Sequence, residues 1–554
     1  MGRDVDEPRR PLTTVRRVAP VALLAGIPLA FLAVAFLWPL ATVVMTGLGV
    51  GRFGDSSALA DVLGDGALRG VLWFTTWQAA LSTVCTLVVG LPASWAFARG
   101  RFRGRRLAWS LLVVPFVLPT VVVGAALLAV DDRARGSLLA LLVAHVMFNV
   151  AVVIRLVGGA WARLDPRVED AAAVLGASPW QVARRVSLPL LAPTVLGAAS
   201  IVFVFCFTSF GVVVALGGAH LRTVEVEVYS QVRSLGLSTA AALTLVQLVV
   251  VGVLLVGTSR LQQRWSVRLP VAPPAAGADR RVRTGGERVV AAASLASVGA
   301  LVAVPLLALV ARSLQVGDGW GLRNFTAMGA ARRGSLLFVS PADAIRTSLW
   351  FAVIAASVAV VLGLMLSAAL VTLERRSGRR TRSVVGIDAV VMLPLATSAV
   401  TIALGIVLAF DGPPLDLRGE RIVVPLAQAL VAIPFVVRLL LPALRAVDGR
   451  WRDAATTLGA SPWRVWRQVD LPLVGRPLLA SIGFAAAISL GEFGATALLV
   501  RADAATLPVS ISRLLSQPGP DNIGQAMAAS VVLAALSAAV FVGLDRTSAG
   551  GLDG

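Results

Sequence analysis

DAAAVLGASPWQVARRVSLPL occupies residues 170–190, and DAATTLGASPWRVWRQVDLPL occupies residues 453–473. The two segments match at 15 of 21 positions and stand 283 residues apart. Each reads as two short helices joined at a glycine turn. Asp165, followed by Pro166, and Asp448 are placed to cap the first helix of each pair. Gly176 and Gly459 then supply the left-handed conformation that ends it. Ser178-Pro179 and Ser461-Pro462 open the second helix, with serine as the cap and proline in the first turn. Gln181, three residues past Ser178, completes a capping box.

The same offset relates residues well outside these segments. Arg155 falls on Arg438, Asp165 on Asp448, Arg167 on Arg450, and Phe210-Gly211 on Phe493-Gly494. The chain is therefore an internal repeat of two halves in one order. The surroundings of the repeat are oily: of 554 residues 57% are apolar and only 14% charged, and the mean hydropathy is +0.83. An ordinary soluble domain is about 25% charged, and about 20 apolar residues in a helix cross a bilayer. Apolar runs cover residues 18–46, 70–97, 107–130, 137–160, 190–216 and 235–258, then 289–312, 343–373, 384–410, 421–443, 474–499 and 522–544. The expected fold is an all-α polytopic membrane protein of about 12 transmembrane helices, arranged as two parallel six-helix repeats.

Charge sets the orientation. The net charge of +20 in a soluble protein would point to nucleic acid, but here the arginines lie between apolar runs. RGRFRGRR at 99–106, the arginines 375, 376, 379, 380 and 382, and the cluster Arg260, Arg264, Arg268, Arg280, Arg281, Arg283 and Arg288 all fall on one side. The alternate loops DDRARG at 131–136 and DGPPLDLRGE at 411–420 are mixed or acidic. Positive loops stay inside, so both termini and both copies of the repeated segment are expected in the cytoplasm, with no nucleic-acid partner. The N-terminal MGRDVDEPRRPLTTVRR precedes a run longer than a signal h-region and reads as a leader to a retained helix. The predicted organisation is a leader at 1–17, a first half at 18–259 containing the loop 161–189, a basic linker at 260–288, a second half at 289–546 containing the loop 444–473, and a tail at 547–554. Two cysteines, Cys85 and Cys206, both in apolar runs, read as buried small residues rather than a metal site.

The repeated segments hold no paired carboxylates, no histidine and no nucleophile with a base. They mix tryptophan, arginine and aliphatic residues, which suits a rigid piece docking onto another protein; the alternative is an amphipathic segment lying in the lipid headgroups. They resemble the EAA loop of permease subunits of bacterial ATP-binding cassette importers. Asp170, Ala171, Ala172, Gly176, Leu188 and Pro189 carry the likeness in the first half. Asp453, Ala454, Ala455, Gly459, Leu471 and Pro472 carry it in the second. Ser178-Pro179 and Ser461-Pro462 belong to the same docking segments. Aspartate stands in both copies where the family usually has glutamate, which keeps the charge. The resemblance implies a type I importer permease fold and a coupling helix seated in a cleft of a cytoplasmic ATPase, with two ATPase copies. It also implies an extracytoplasmic substrate-binding protein. The chain has no GxxxxGK[ST] phosphate loop, so ATP and Mg belong to the partner subunit and no cofactor or catalytic residue is expected here.

Polar groups at membrane depth mark pathway candidates. Glu492 in SLGEFGAT comes first; its counterpart is Ser209, so the carboxylate is asymmetric. It can face a substrate, pair with an arginine, or cap a broken helix. Asp388, His145 and Asn149 follow, each with the alternative of an interfacial or helix-packing role. Trp77, Phe207 and Phe493 offer aromatic faces to a cation. The resemblance extends to fused two-half permeases that import thiamine or ferric iron. WFTTWQAALS at 73–82, LLVAHVMFNVAV at 141–152, CFTSFGVVVALGG at 206–218 with VEVEVY at 224–229, and TLPVSISRLLSQPGPDNIGQAMA at 506–528 look like the thiamine branch. SLGEFGAT is at home in the iron branch too. Two histidines give no transition-metal pathway. The expected function is thus the permease of an ATP-driven, binding-protein-dependent importer, with thiamine ahead of ferric iron. An ion-coupled secondary transporter would explain twelve spans but not two matched docking loops, and a membrane scaffold would leave Glu492 without purpose.

Overall fold

The computed structural model describes residues 23–100, 105, 108–109, 112, 118–218, 221–265, 285–329, 339–377, 381–413, 415–417 and 419–549. The leader at 1–17, most of the linker at 260–288, much of the third apolar run and the last residues of the tail lie outside them. Among the described residues nine helices are long and apolar enough to cross a bilayer, and eleven if two bent pairs each count as one span. The bent pairs are Val384–Ala396 with Ala399–Ala409, turned by 100°, and Pro462–Leu473 with Gly475–Gly491, turned by 72°. Thr120–Val130, the continuous helix of the third run, is a shorter apolar helix. The protein is all-α, and among the described residues the one β element is a small hairpin, where Gln315 pairs with Trp320 and Val316 with Gly319.

Backbone donors and acceptors have no water partner inside a bilayer, so helix is the default there. The hydroxyls in these spans solve the same problem by donating to the carbonyl four residues back, as Thr75 does to Val71, Ser94 to Gly90, Ser367 to Gly363 and Thr372 to Ala368. Small residues set the closest helix pairings. A Cβ at Gly90 would stand 2.8 Å from Val153 Cγ1, and one at Gly363 would stand 2.6 Å from Val436 Cγ1. Gly66–Arg99 therefore packs on Leu138–Arg163 as Pro341–Ser377 packs on Val423–Ala446.

Burial separates central helices from peripheral ones. The apolar window is 67% buried in Leu138–Arg163 and 72% in Val423–Ala446, against 28% in Leu23–Gly47 and 17% in Gly285–Leu314. The two peripheral helices each lead a half, and each crosses over. Leu23–Gly47 packs on Ala399–Ala409 of the second half, while Gly285–Leu314 packs on Gly66–Arg99 and Thr120–Val130 of the first. One apolar core consequently includes residues of both halves, from Val43 and Phe210 to Phe493 and Leu533. A second core lies in the later half and takes in Leu32 and Phe36 from the leading helix.

Candidate docking loops and central cavity

Both repeated segments fold as the local signals require. Asp165 accepts from the Arg167 N–H at 3.0 Å and caps Pro166–Val174; Asp448 does the same for Arg450, at 3.0 Å, over Gly449–Thr457. Gly176 and Gly459 have φ of +87° and +81°, the left-handed region that glycine enters without strain. Ser178 and Gln181 form the full capping box, and Ser461 accepts from the Arg464 N–H at 3.4 Å. In the first half the second helix runs on past residue 189, the expected end of the loop. In the second half Pro462–Leu473 ends at the expected place, and the next helix begins at Gly475. Pro189 and Pro472 lack the N–H that an α-helical ladder needs, and a π-turn at Ala183–Ser187, repeated at Trp466–Asp470, absorbs the mismatch. The first docking helix thereby runs straight into the span as Pro179–Phe207.

Among arginines, the outer surface of the two loops carries matched apolar side chains. Leu175 and Leu458 are each 88% exposed, and Trp180 and Trp463 are each 69% exposed. Asp170 is half-buried, Asp453 is exposed, and Ala171 and Ala454 are exposed while Ala172 and Ala455 are half-buried. Leu188 and Leu471 are half-buried, with Pro189 and Pro472 exposed behind them. Paired leucine and tryptophan side chains on two short helices, 283 residues apart in sequence, present one motif twice.

Between the halves lies a cavity of about 280 Å³. The spans that end at Phe207 and Gly491 break there, and the chain resumes as the short helices Gly211–Leu216 and Gly494–Leu499. Glu492 caps the second break: Oε1 accepts from the Ala495 N–H at 2.8 Å, and Oε2 from the Thr496 N–H at 3.0 Å and its hydroxyl at 2.6 Å. It also lines the cavity. The capping and lining readings of Glu492 therefore hold together. His145 and Asn149 line the opposite wall, both buried. His145 Nδ1 meets Ser82 Oγ at 2.9 Å, and the Asn149 amide donates to the His145 carbonyl at 2.9 Å. Their remaining atoms, His145 Nε2 and Asn149 Oδ1, have no hydrogen-bond partner.

The rest of the lining is aromatic. Phe210 and Phe493, equivalent in the two halves, stack across the pseudo-two-fold at 5.3 Å with planes 19° apart. Phe205, Phe435 and Phe484 form the wall toward the docking loops and also line a second, apolar cavity of about 470 Å³ beyond it, near Arg155. Phe435 and Phe484 sit 5.4 Å apart. Phe148 completes the set. Sequence reading named only Phe493 of these. The other three pathway candidates lie elsewhere. Trp77 packs edge-on against Phe74 in the Gly66–Arg99 helix, Phe207 is fully buried against Phe203, and Asp388 is half-buried in Arg382–Ala396. A helix shows one stripe to any cavity, and these three residues lie on other faces. Among the described residues no three His, Cys, Asp or Glu side chains are grouped to hold a metal ion.

A polytopic helical protein of two repeated halves, with twin exposed loops on one side and a cavity between the halves, has the form of a membrane permease. The chain belongs to the family of binding-protein-dependent transport system inner membrane components, which matches it twice, over residues 86–267 and 359–547. It is thus the permease component of an ABC-type importer, a non-catalytic part that works with a cytoplasmic ATPase and an extracytoplasmic binding protein. Among its relatives is the thiamine transport system permease protein ThiP of Escherichia coli (strain K12), 27% identical over 468 residues, covering 80% of this chain and 83% of that one. ThiP of Brucella abortus (strain 2308) is 29% identical over 557 residues, covering 96% and 95%. A probable ABC transporter permease protein, y4fN of Sinorhizobium fredii, is 25% identical over 538 residues, covering 90% and 91%.

Proposed function

We propose that this permease imports thiamine. The observation that carries the reading is the cavity: six phenylalanines and one buried carboxylate line it, together with His145 and Asn149. Thiamine is a flat organic cation with an aminopyrimidine ring. Its charged ring suits aromatic faces and the Glu492 carboxylate. Its aminopyrimidine ring suits the His145 and Asn149 side chains of the lining, whose Nε2 and Oδ1 atoms are buried and unpaired. Ferric iron would ask for a set of oxygen ligands, and the lining offers one carboxylate. The ThiP relatives support the same substrate.

In this reading the chain has twelve spans in two halves, at 18–259 and 289–546, with both termini cytoplasmic. The loops 161–189 and 444–473 each seat one ATPase copy, and Leu175, Trp180, Leu458 and Trp463 are the side chains that the ATPases cover. Closure of the ATPase pair on ATP moves the loops and switches the cavity between its two openings. The Phe210–Phe493 stack closes it on the side away from the loops, and Phe205, Phe435 and Phe484 close it on the near side. The test is uptake of labelled thiamine and of labelled ferric iron in cells lacking the gene and in cells given it back. Loss and rescue of thiamine uptake alone is the expected result; rescue of iron alone would assign the protein to metal import.

A further inference from the structure

The two loops agree in sequence over most of their length, yet the groups that fasten them to the membrane helices differ. In the first half the fastening is the buried Glu169, next to the Asp170 of the motif. Its Oε2 lies 3.2 Å from Arg99 Nε, and its Oε1 accepts from Trp161 Nε1 at 3.0 Å and from the Ser187 hydroxyl at 2.7 Å. Arg99 Nη2 also donates to the Leu164 carbonyl at 3.1 Å. The side chains of Arg99 and Glu169 are 2% and 4% exposed. One carboxylate therefore joins the docking helix to the end of Gly66–Arg99, to the end of Leu138–Arg163, and to the start of the following span.

The second half reverses the charge. Position 452, equivalent to 169, is arginine, and position 470, equivalent to 187, is aspartate. Arg452 Nε and Asp470 Oδ1 pair at 2.5 Å, which joins that docking helix to the start of its own following span. Arg375 takes the place of Arg99. It donates to the Val447 carbonyl, the counterpart of Leu164, at 2.9 Å. Beside it Glu374 holds Arg445 at 2.6 Å, a bond between the membrane helices themselves. With arginine at 452, the docking helix offers Arg375 no carboxylate there.

Separating a buried ion pair leaves an uncompensated charge, so elements joined by one move together. We propose that Glu169 is a positioning residue that carries motion of the first docking loop into the Gly66–Arg99 helix, and that among the described residues the second loop has no equivalent buried ion pair into Pro341–Ser377. This inference rests on reading both loops as ATPase seats.

The test uses the full permease with its ATPase and binding protein in lipid, with Cys85 and Cys206 replaced by alanine. Spin labels are placed at Val174 and Trp73 for the first half and at Thr457 and Trp350 for the second, by cysteine substitution. Distances are read without nucleotide and with a non-hydrolysable ATP analogue. In the otherwise wild-type chain the first pair is expected to keep its distance, because loop and helix travel as one, while the second pair shifts by about 2 Å or more. Glu169→Gln is expected to release the first pair so that it shifts as well. The double exchange Glu169→Arg with Ser187→Asp installs the arrangement that already folds in the second half, and should give the same release. Equal behaviour of the two pairs in the otherwise wild-type chain, or a fixed first pair in both variants, overturns the proposal. Failure of the ATPase to shield the label at Val174 from an aqueous relaxing agent would instead overturn the docking assignment, and this inference with it.

Discussion

At the shared offset of 283, His145 falls on Gln428, Cys206 on Ser489, Ser209 on Glu492 and Val213 on Thr496. In the second half these places form one connected set. The Ser489 hydroxyl donates to Gln428 Oε1 at 2.6 Å, Gln428 Nε2 donates to the Thr496 hydroxyl oxygen at 3.1 Å, and that hydroxyl donates to Glu492. Neutral groups hold a single carboxylate in place at the break. In the first half the histidine turns to Ser82, and Asn149 reaches Cys206 Sγ at 3.5 Å. The backbone breaks at the same point in both halves, but one wall of the cavity carries charge and the other carries neutral hydrogen-bonding atoms. Repetition thus fixes where the chain bends, and departures from repetition give the cavity its chemistry. A pseudo-symmetric frame can in this way hold an unsymmetric substrate.

The sharpest way to break the comparison is at the anchors. Arg99→Ala leaves Glu169 buried without its cation, and the expected loss is about 3–5 kcal/mol. Arg375→Ala removes an exposed side chain bonded to a carbonyl, and the expected loss is under about 1 kcal/mol. Apparent melting temperatures in detergent at one heating rate should therefore fall well below wild type for the first variant only. Equal losses would mean that the two halves are anchored alike after all.

The turns should behave oppositely, as a feature the halves share. Valine at Gly176 or Gly459 must enter the left-handed region, at a cost of about 1–2 kcal/mol. Both single variants should recover less ATPase on co-purification, and by similar amounts. Recovery at the wild-type level for both would break the docking assignment. At the cavity the halves should differ again. Glu492→Gln keeps an acceptor for the cap but removes the charge, and labelled thiamine uptake should fall about tenfold, the equivalent of about 1.4 kcal/mol. Ser209→Ala should leave uptake near wild type. Equal effects at 209 and 492 would mean that the charge has no part in recognition.

The all-α membrane character and the turns within the loops were legible because their signals are local. Aspartate and serine caps, the glycines at 176 and 459, and the proline after each leucine act within a few residues, and the repeat made each visible twice. The cavity was far less legible. The chain has 20 phenylalanines, and in lipid an apolar run carries no polar stripe to show which face turns inward. Phe148, Phe205, Phe435 and Phe484 therefore gave no contrast with their neighbours, and Trp77, Phe207 and Asp388 were named from residue type alone. Glu169 stood in plain view beside Asp170, and its exchange for Arg452 together with Ser187 for Asp470 was the one signal that could have found it. Its partner Arg99 lies 70 residues earlier, and only the packed helices bring it near.

The smallest expected difference lies outside the spans, on the second half alone. Arg421 Nη2 bonds Asp503 Oδ2 at 2.6 Å, and Arg501 Nε bonds Oδ1 at 3.3 Å. Position 138, the first-half equivalent of Arg421, is leucine. The Arg421 guanidinium holds the Asp503 carboxyl below its usual range. A lowered folded-state value contributes stability above the unfolded carboxylate value of about 3.9, and that contribution is lost as pH falls through the folded value. Both partners are at least half exposed, so solvent and salt screen the bond. Arg421→Ala should leave the melting temperature at pH 7 within scatter of wild type. Its only visible effect should be a slightly shallower decline below about pH 4, where wild type gives up a bond that the variant never had. A clear loss at neutral pH would mean that this loop helps hold the second half together, and that the two halves differ in their outer scaffolding as well as in their anchors and cavity walls.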